Sequence, residues 1–281
     1  MCPVPSRADR ILALAVLASL AAASPLHAVL AGEFLPHRAV YQLTKGSPRG
    51  GLAVADVNGS MMIEVAEACE GWSLSQRIKM TVTDNMGGDV ESDSRYASYE
   101  TKDGTLLRFQ ASDWQNGQLV EETAGTAERP ATDQAGSITF VKPGGETFDL
   151  PPGAVFPVAF NLDLVKRMDK GEGFFTMPGF DGGNLEGAYT ISVFIGKERE
   201  SELKPGGGEL GNGASLLGGI VRNVRVAYFP LASKTPEPEL EYDMELQPNG
   251  VSPMMRLDYQ RYQVRAKLIE VAPLPRPKCS G

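Results

Sequence analysis

A period of two runs through this chain. Leu74, Ile78, Met80 and Val82 share one face and Ser75, Arg77, Lys79 and Thr81 the other, the alternation of a strand with one covered side. Tyr189, Ile191, Val193 and Ile195 repeat it, as do Val224, Val226 and Tyr228. Leu107, Phe109 and Ala111 lead towards Trp114, and Asn116-Gly117 then supplies the pair of left-handed positions a tight hairpin needs before Leu119. Gly, Pro, Asn and Asp separate such segments, so the pattern predicts a mainly β, antiparallel fold. Near the end the apolar set changes parity, from Met255, Leu257 and Tyr259 to Tyr262, Val264, Ala266 and Leu268. One flat strand would turn the second set outward, so a bulge or bend is expected there.

One stretch breaks the rhythm. Between residues 157 and 170, Val158, Leu162 and Val165, with Phe160, Leu164 and Met168 beside them, recur at helical spacing. Pro157 suits a first helical turn, Lys166, Arg167 and Lys170 favour the negative end of the helix dipole, and Gly171 can terminate it. Many strands with one amphipathic helix predict a curved sheet or half-barrel, with the helix packed into its concave side or across its mouth. Residues 204–213 are glycine-rich and read as a mobile connection, and Thr235-Pro236-Glu237-Pro238 as a stiff turn before a strand over 240–246. Neither is long enough to divide the chain, so residues 32–281 are expected to form a single domain.

Residues 1–31 read as a secretory signal peptide. Arg7 and Arg10 form the basic region, residues 11–23 are apolar and uncharged, and Val29-Leu30-Ala31 is a small-residue cleavage site. That apolar run is shorter than the about 20 residues a bilayer span needs, and no other stretch approaches this length. The product is expected to be a soluble exported protein that does not span the membrane. Cleavage leaves 25 Lys+Arg against 34 Asp+Glu, a formal charge of −9, which repels phosphate backbones at long range and argues against nucleic acid as a partner.

Cleavage also removes Cys2 and leaves Cys69 and Cys279, with no third thiol to compete. In an oxidising compartment such a pair is normally a disulfide, so the extreme C-terminus is expected to be clamped onto the first third of the domain. The tail Pro273-Leu274-Pro275-Arg276-Pro277-Lys278 cannot pair as a central strand and should fray without that clamp.

Motifs that would carry chemistry are few. His37 is the one histidine left after the signal, which argues against multi-histidine metal sites and a Ser-His-Asp triad. Gly206-x-Gly208-x-x-Gly211 matches a dinucleotide fingerprint, but it follows a polar segment where the motif needs a buried strand, and it reads as loop composition. Asp89, Glu91 and Asp93 alternate on one strand face, and Asp181 and Glu186 bracket a glycine turn; a weak calcium site is weighed there against a solvated acidic edge, and the edge is favoured. Met61, Met62, Met80, Met168, Met254 and Met255 could line an adaptable cavity, although core filling is the simpler reading. No catalytic residue, cofactor or metal site is expected.

Several segments together carry a resemblance. Leu35-Pro36-His37-Arg38-Ala39-Val40-Tyr41, Cys69-Glu70-Gly71-Trp72, Trp114-Gln115-Asn116-Gly117, Val155-Phe156-Pro157, Phe180-Asp181-Gly182-Gly183, Asn249-Gly250-Val251 and Leu257-Asp258-Tyr259, closing on Cys279, resemble the EipB family of periplasmic cell-envelope integrity proteins of Gram-negative bacteria. The resemblance implies an antiparallel β-spiral, a half-open barrel of about 14 strands with one or two helices, and implies that Cys69 and Cys279 are the family's structural disulfide. It also implies a non-enzymatic role in envelope integrity. Three functions follow as expectations. The first is binding of another envelope or periplasmic protein; the second is carriage of lipid or lipoprotein acyl chains on the concave side; the third is hydrolysis of envelope polymers by paired carboxylates, which needs two acids within about 10 Å facing one cleft.

Overall fold

The computed structural model describes residues 33–47, 54–203, 211–232, 236–259 and 262–279. The predicted signal peptide and residues 204–210 of the glycine-rich connection lie outside them. Fourteen strands pair in one unclosed antiparallel sheet, and its order explains how the chain is laid out. Strands β1 (His37–Lys45), β2 (Val54–Glu67), β3 (Gly71–Asp84), β4 (Asp89–Thr101), β5 (Leu106–Gln115), β6 (Gln118–Glu128), β7 (Gly136–Lys142) and β8 (Thr147–Leu150) run outward as one meander. After helix α1 (Pro157–Asp169), strands β9 (Phe174–Gly179), β10 (Tyr189–Glu200), β11 (Ile220–Pro230), β12 (Leu240–Leu246), β13 (Met254–Asp258) and β14 (Gln263–Pro273) return as a second meander. The two join where β14 pairs with β1, so the first and last strands lie at the middle of the sheet and β8 and β9 are its edges.

Local chemistry accounts for the turns. Asn116 (φ 49°) and Gly117 (φ 76°) are both left-handed and close a two-residue hairpin between Gln115 and Gln118. The change of apolar parity near the end, where a bulge or bend is expected, is a full chain reversal: β13 stops at Asp258, the Tyr259 N–H donates to the Tyr262 carbonyl at 3.0 Å, and β14 runs back alongside. The register does slip within β14, where Tyr41 faces Leu268 while Val40 faces Glu270, leaving Ile269 as an extra residue against β1.

Helix α1 forms where the period predicted it. Pro157 sits at its first turn, and its end is a Schellman motif, with Gly171 (φ 75°) donating to the Met168 carbonyl at 3.1 Å and Glu172 to the Arg167 carbonyl at 3.1 Å. Its buried side chains Val158, Phe160, Leu164, Val165 and Met168 belong to the same apolar cluster as residues of β1–β3 and β9–β14. One helix can touch both halves of a single sheet only if the sheet curls around it. A second cluster, Leu107, Phe109, Ala127, Ile138, Phe140 and Leu150 with Phe156 and Phe180, fills the inner face of β5–β8. The gap between the edge strands is partly occupied by Val155, which donates to the Pro178 carbonyl (2.9 Å) and accepts from the Phe180 N–H (3.0 Å). That contact blunts the exposed edge of β9.

Cys69, in the β2–β3 turn, is bonded to Cys279, with their Cα atoms 5.6 Å apart. The proline-rich tail is also held by other contacts: the Leu274 N–H donates to the Pro36 carbonyl (2.9 Å), and Arg276 reaches Glu33 (2.8 Å), Glu67 (3.3 Å) and the Phe34 carbonyl (3.1 Å). Closing a loop over a separation of 210 residues destabilises the unfolded chain by about 5 kcal/mol in the chain-entropy description, comparable to the net stability of a domain. Replacing Cys279 with Ser should therefore lower the melting temperature and speed proteolysis after β14, with the surviving Arg276 contacts keeping the sheet folded. A melting temperature equal to that of the parent under non-reducing conditions would show the bond to be dispensable.

Candidate functional site

The inner face of the sheet is filled. Met61, Met80, Met168, Met244 and Met255 are all buried in the main core, so these methionines act as packing between β-branched and aromatic neighbours, while Met254 is buried on the opposite face of the sheet. What makes this interior unusual is the polar group that fixes the helix. Phe156, the residue before α1, offers no side-chain cap, and Pro157 has no N–H. Glu100 of β4 takes the cap's place: its carboxylate accepts the N–H groups of Val158 (2.8 Å) and Ala159 (2.6 Å), the positions whose donors an α-helix leaves unpaired. Glu100 is 1% exposed. Burial pushes its pKa up from 4.5 to about 7, while the two N–H bonds pull it back.

The sequence pattern missed Glu100, yet it left a signal. Along β4, Tyr96, Ser98 and Glu100 occupy the inward parity, opposite Ala111, Phe109 and Leu107 of β5. An acid in that row has to find a partner in the core.

At the mouth of the curl, the segment after β9 crosses from one half of the sheet to the other. Phe180 packs edge-to-face on Phe109 at 5.3 Å, the Tyr96 hydroxyl donates to the Asp181 carbonyl at 2.7 Å, and the Thr123 hydroxyl to the Gly182 carbonyl at 2.8 Å. Gly182 has φ 77°, and a Cβ there would lie 2.2 Å from the Phe109 ring, so the position needs glycine for both conformation and space. Asn184 then ties the loop to the other half, donating to Glu239 and accepting from the Tyr189 hydroxyl (2.7 Å). The Phe180-Asp181-Gly182-Gly183 motif is thus a strap across the opening.

The strap gathers acids that are distant in sequence. Burial raises the pKa of Asp181, partly offset by the Gly183 N–H on its own Oδ1 (2.8 Å). The pKa of Glu239 is pushed up to about 7, by burial first and then by the charge of Glu186 and a hydrogen bond with it. The phenols of Tyr96, Tyr189, Tyr228 and Tyr242 are all raised, by burial first and also by the charge of Asp181. Glu186 is therefore brought to Glu239, and the charge of Asp181 acts on the same carboxyl; no local pattern marks Glu239 as a member of this group.

The other candidate residues are scattered. Asp93 is clamped by Arg77 (2.7 Å) and Arg95 (2.8 Å), which hold its carboxyl well below the usual carboxylate range, and Asp89 accepts from the Thr83 hydroxyl (2.6 Å). These two belong to an ion-paired strand face. His37 is buried with Nδ1 at 2.7 Å from the Leu35 carbonyl, and burial lowers its pKa. Among the described residues, no group of three or more His, Cys, Asp or Glu is placed to hold a metal ion, and no helix is long and apolar enough to cross a membrane.

Comparison with known proteins agrees with this architecture. The EipB-like family profile matches residues 28–275. The chain belongs to the EipB-like family. A curated relative, the cell envelope integrity protein EipB of Brucella abortus (strain 2308), is 25% identical over 250 residues, covering 87% of this chain and 86% of that protein. The crystal structure of a beta-barrel-like protein with a domain of unknown function, from Brucella abortus, superposes with a TM-score of 0.76 at 24% identity, covering 87% of this chain and all of that one. The described residues of this chain thus form a mainly β, 14-stranded open sheet with one α-helix, in keeping with what the resemblance implied.

The buried cap sets a pH dependence. A folded-state pKa above the unfolded 4.5 means the folded protein binds more protons between pH 4.5 and about 7, so this contribution is complete below 4.5 and is lost as pH rises to about 7. The full change amounts to roughly 3 kcal/mol. Denaturant unfolding at pH 5 and pH 8 should show a smaller stability difference in Glu100→Gln than in the parent, because all other titrating groups are common to both. Equal differences would contradict the assignment.

Proposed function

We propose that this EipB-like protein supports cell-envelope integrity from the periplasm, without catalysis, by binding another envelope component. The observation that carries the reading is the match over 87% of the chain to a protein named for envelope integrity. The chemistry of the chain supports it. Cys69 and Cys279 are spent on a disulfide and His37 on a main-chain contact, so these thiols and this imidazole are committed to structure. The predicted signal peptide and the disulfide both suit an oxidising compartment.

The carrier reading is less well supported, because α1 and the methionines occupy the concave face that acyl chains would need. A cargo would have to displace the helix and break the Glu100 cap.

Deleting the gene in its host should increase sensitivity to detergents and to cell-wall antibiotics, and the full-length gene should restore resistance. A version lacking residues 1–31 should fail to restore it. A deletion strain as resistant as its parent would overturn the envelope role, and full rescue by the version without residues 1–31 would overturn the periplasmic location.

A further inference from the structure

The outer face of β11–β14 carries charge in rows set by the register. One row runs Arg225, Asp243, Arg256, Arg265, and the next runs Asn223, Glu245, Met254, Lys267. Neighbouring strands are about 4.8 Å apart, so Arg256 and Arg265 face each other as like charges, which costs stability unless an anion lies between them. Both lie outside the core. Arg265 approaches Glu202 at 3.8 Å, and among the described residues Arg256 has no acid within ion-pair distance.

A cavity of about 250 Å³ opens beside this row, lined by Asn223, Arg225, Asp243, Glu245, Met254 and Arg256. Its acceptors are already engaged. Arg225 takes both oxygens of Asp243, through Nε at 2.8 Å and Nη2 at 3.1 Å. Glu245, 4% exposed, accepts from Arg199 on one oxygen and from the Ser201 hydroxyl (3.1 Å) on the other. Arg199 also donates to Asn223 Oδ1 through Nε (3.2 Å) and Nη2 (3.0 Å). An arginine can only donate, so this contact fixes the amide orientation, and among the described residues Asn223 Nδ2 makes no hydrogen bond. Among the described residues, the donors left over are Asn223 Nδ2, Arg225 Nη1 and the whole guanidinium of Arg256.

Each acid in this cavity is paired with an arginine, so the unpaired charge is that of Arg256, on a protein whose formal net charge is −8. Several spare donors and one spare positive charge, with no open acceptor, match a ligand that is anionic and accepts on several oxygens. The volume equals the share of about eight liquid waters, more than a bare oxyanion fills. We propose that this outer-face cavity binds a phosphate ester of a polyol, with the phosphate on Arg256 and Asn223 Nδ2 and the polyol against the remaining wall. The same chemistry occurs in a phospholipid headgroup and in a phosphorylated glycan.

The probes are glycerol 3-phosphate for the lipid source and glucose 1-phosphate for the glycan source, each titrated calorimetrically at low ionic strength into the purified mature protein, with acetate as a simple anion. One of the esters should bind saturably at one site, and the tighter of the two assigns the source. Arg256→Gln should weaken binding by about tenfold or more, the loss expected for one charge-assisted contact. Arg38→Gln on β1 should leave it unchanged. Removing a like charge opposite Arg265 should not lower the melting temperature, so lost binding in Arg256→Gln would not reflect unfolding. The proposal is overturned if neither ester binds, if acetate binds as tightly as the esters, or if Arg256→Gln binds like the parent.

Discussion

The antiparallel pairing of β1 with β14 is the interaction on which the rest of the structure depends. Each meander is built from local hairpins, but neither half alone surrounds α1, and the contact that makes them one sheet joins residues from opposite ends of the chain. Such a contact forms only after a large loss of chain entropy. Its ladder runs from His37 against Pro273 to Lys45 against Val264, and Leu274 extends it by one further bond to Pro36. The disulfide lies just beyond, between the β2–β3 turn and the tail, where it restrains the same ends in the unfolded chain. The sulfur link therefore supports the seam and does not replace it.

Once the seam is made, the curl is kept by polar ties between elements that are distant in sequence. Glu100 holds the start of α1 from the first meander. The Asp181 and Gly182 carbonyls hold the strap to Tyr96 and Thr123, and Asn184 holds it to Glu239 and Tyr189. In a water-poor interior each of these bonds is worth making mainly because leaving the group unpaired costs more. Burial pushes the pKa of two of the acids involved, Glu100 and Glu239, up to about 7, so the inner scaffold and the mouth share a sensitivity to pH.

Much of the fold was readable in the residues because its causes are local. The strands over Tyr189–Glu200 and Ile220–Pro230 declare themselves by parity, α1 by its 3.6 period with Pro157 and Gly171 at its ends, and the β5–β6 hairpin by Asn116-Gly117. The β13–β14 reversal reads in the sequence only as a bulge or bend, because Tyr259-Gln260-Arg261-Tyr262 contains none of the residues that mark tight turns. What no local pattern carries is which strands meet. The pairing of β1 with β14, the reach of Glu100 to α1 and the assembly of Asp181, Glu186 and Glu239 all depend on contacts between residues far apart in sequence. The outer-face arginine row was hidden for the same reason, since Arg225, Arg256 and Arg265 become neighbours only through the register.

Amide hydrogen exchange of the oxidised protein tests the central seam most directly. If β1 and β14 hold the two meanders together, their paired amides open only with global unfolding and exchange most slowly, while those of the edge strands β8 and β9 exchange earlier. Rapid exchange in β1 and β14, with the slowest amides confined to one meander, would show that the two halves are stable separately and that the seam is not what unites them.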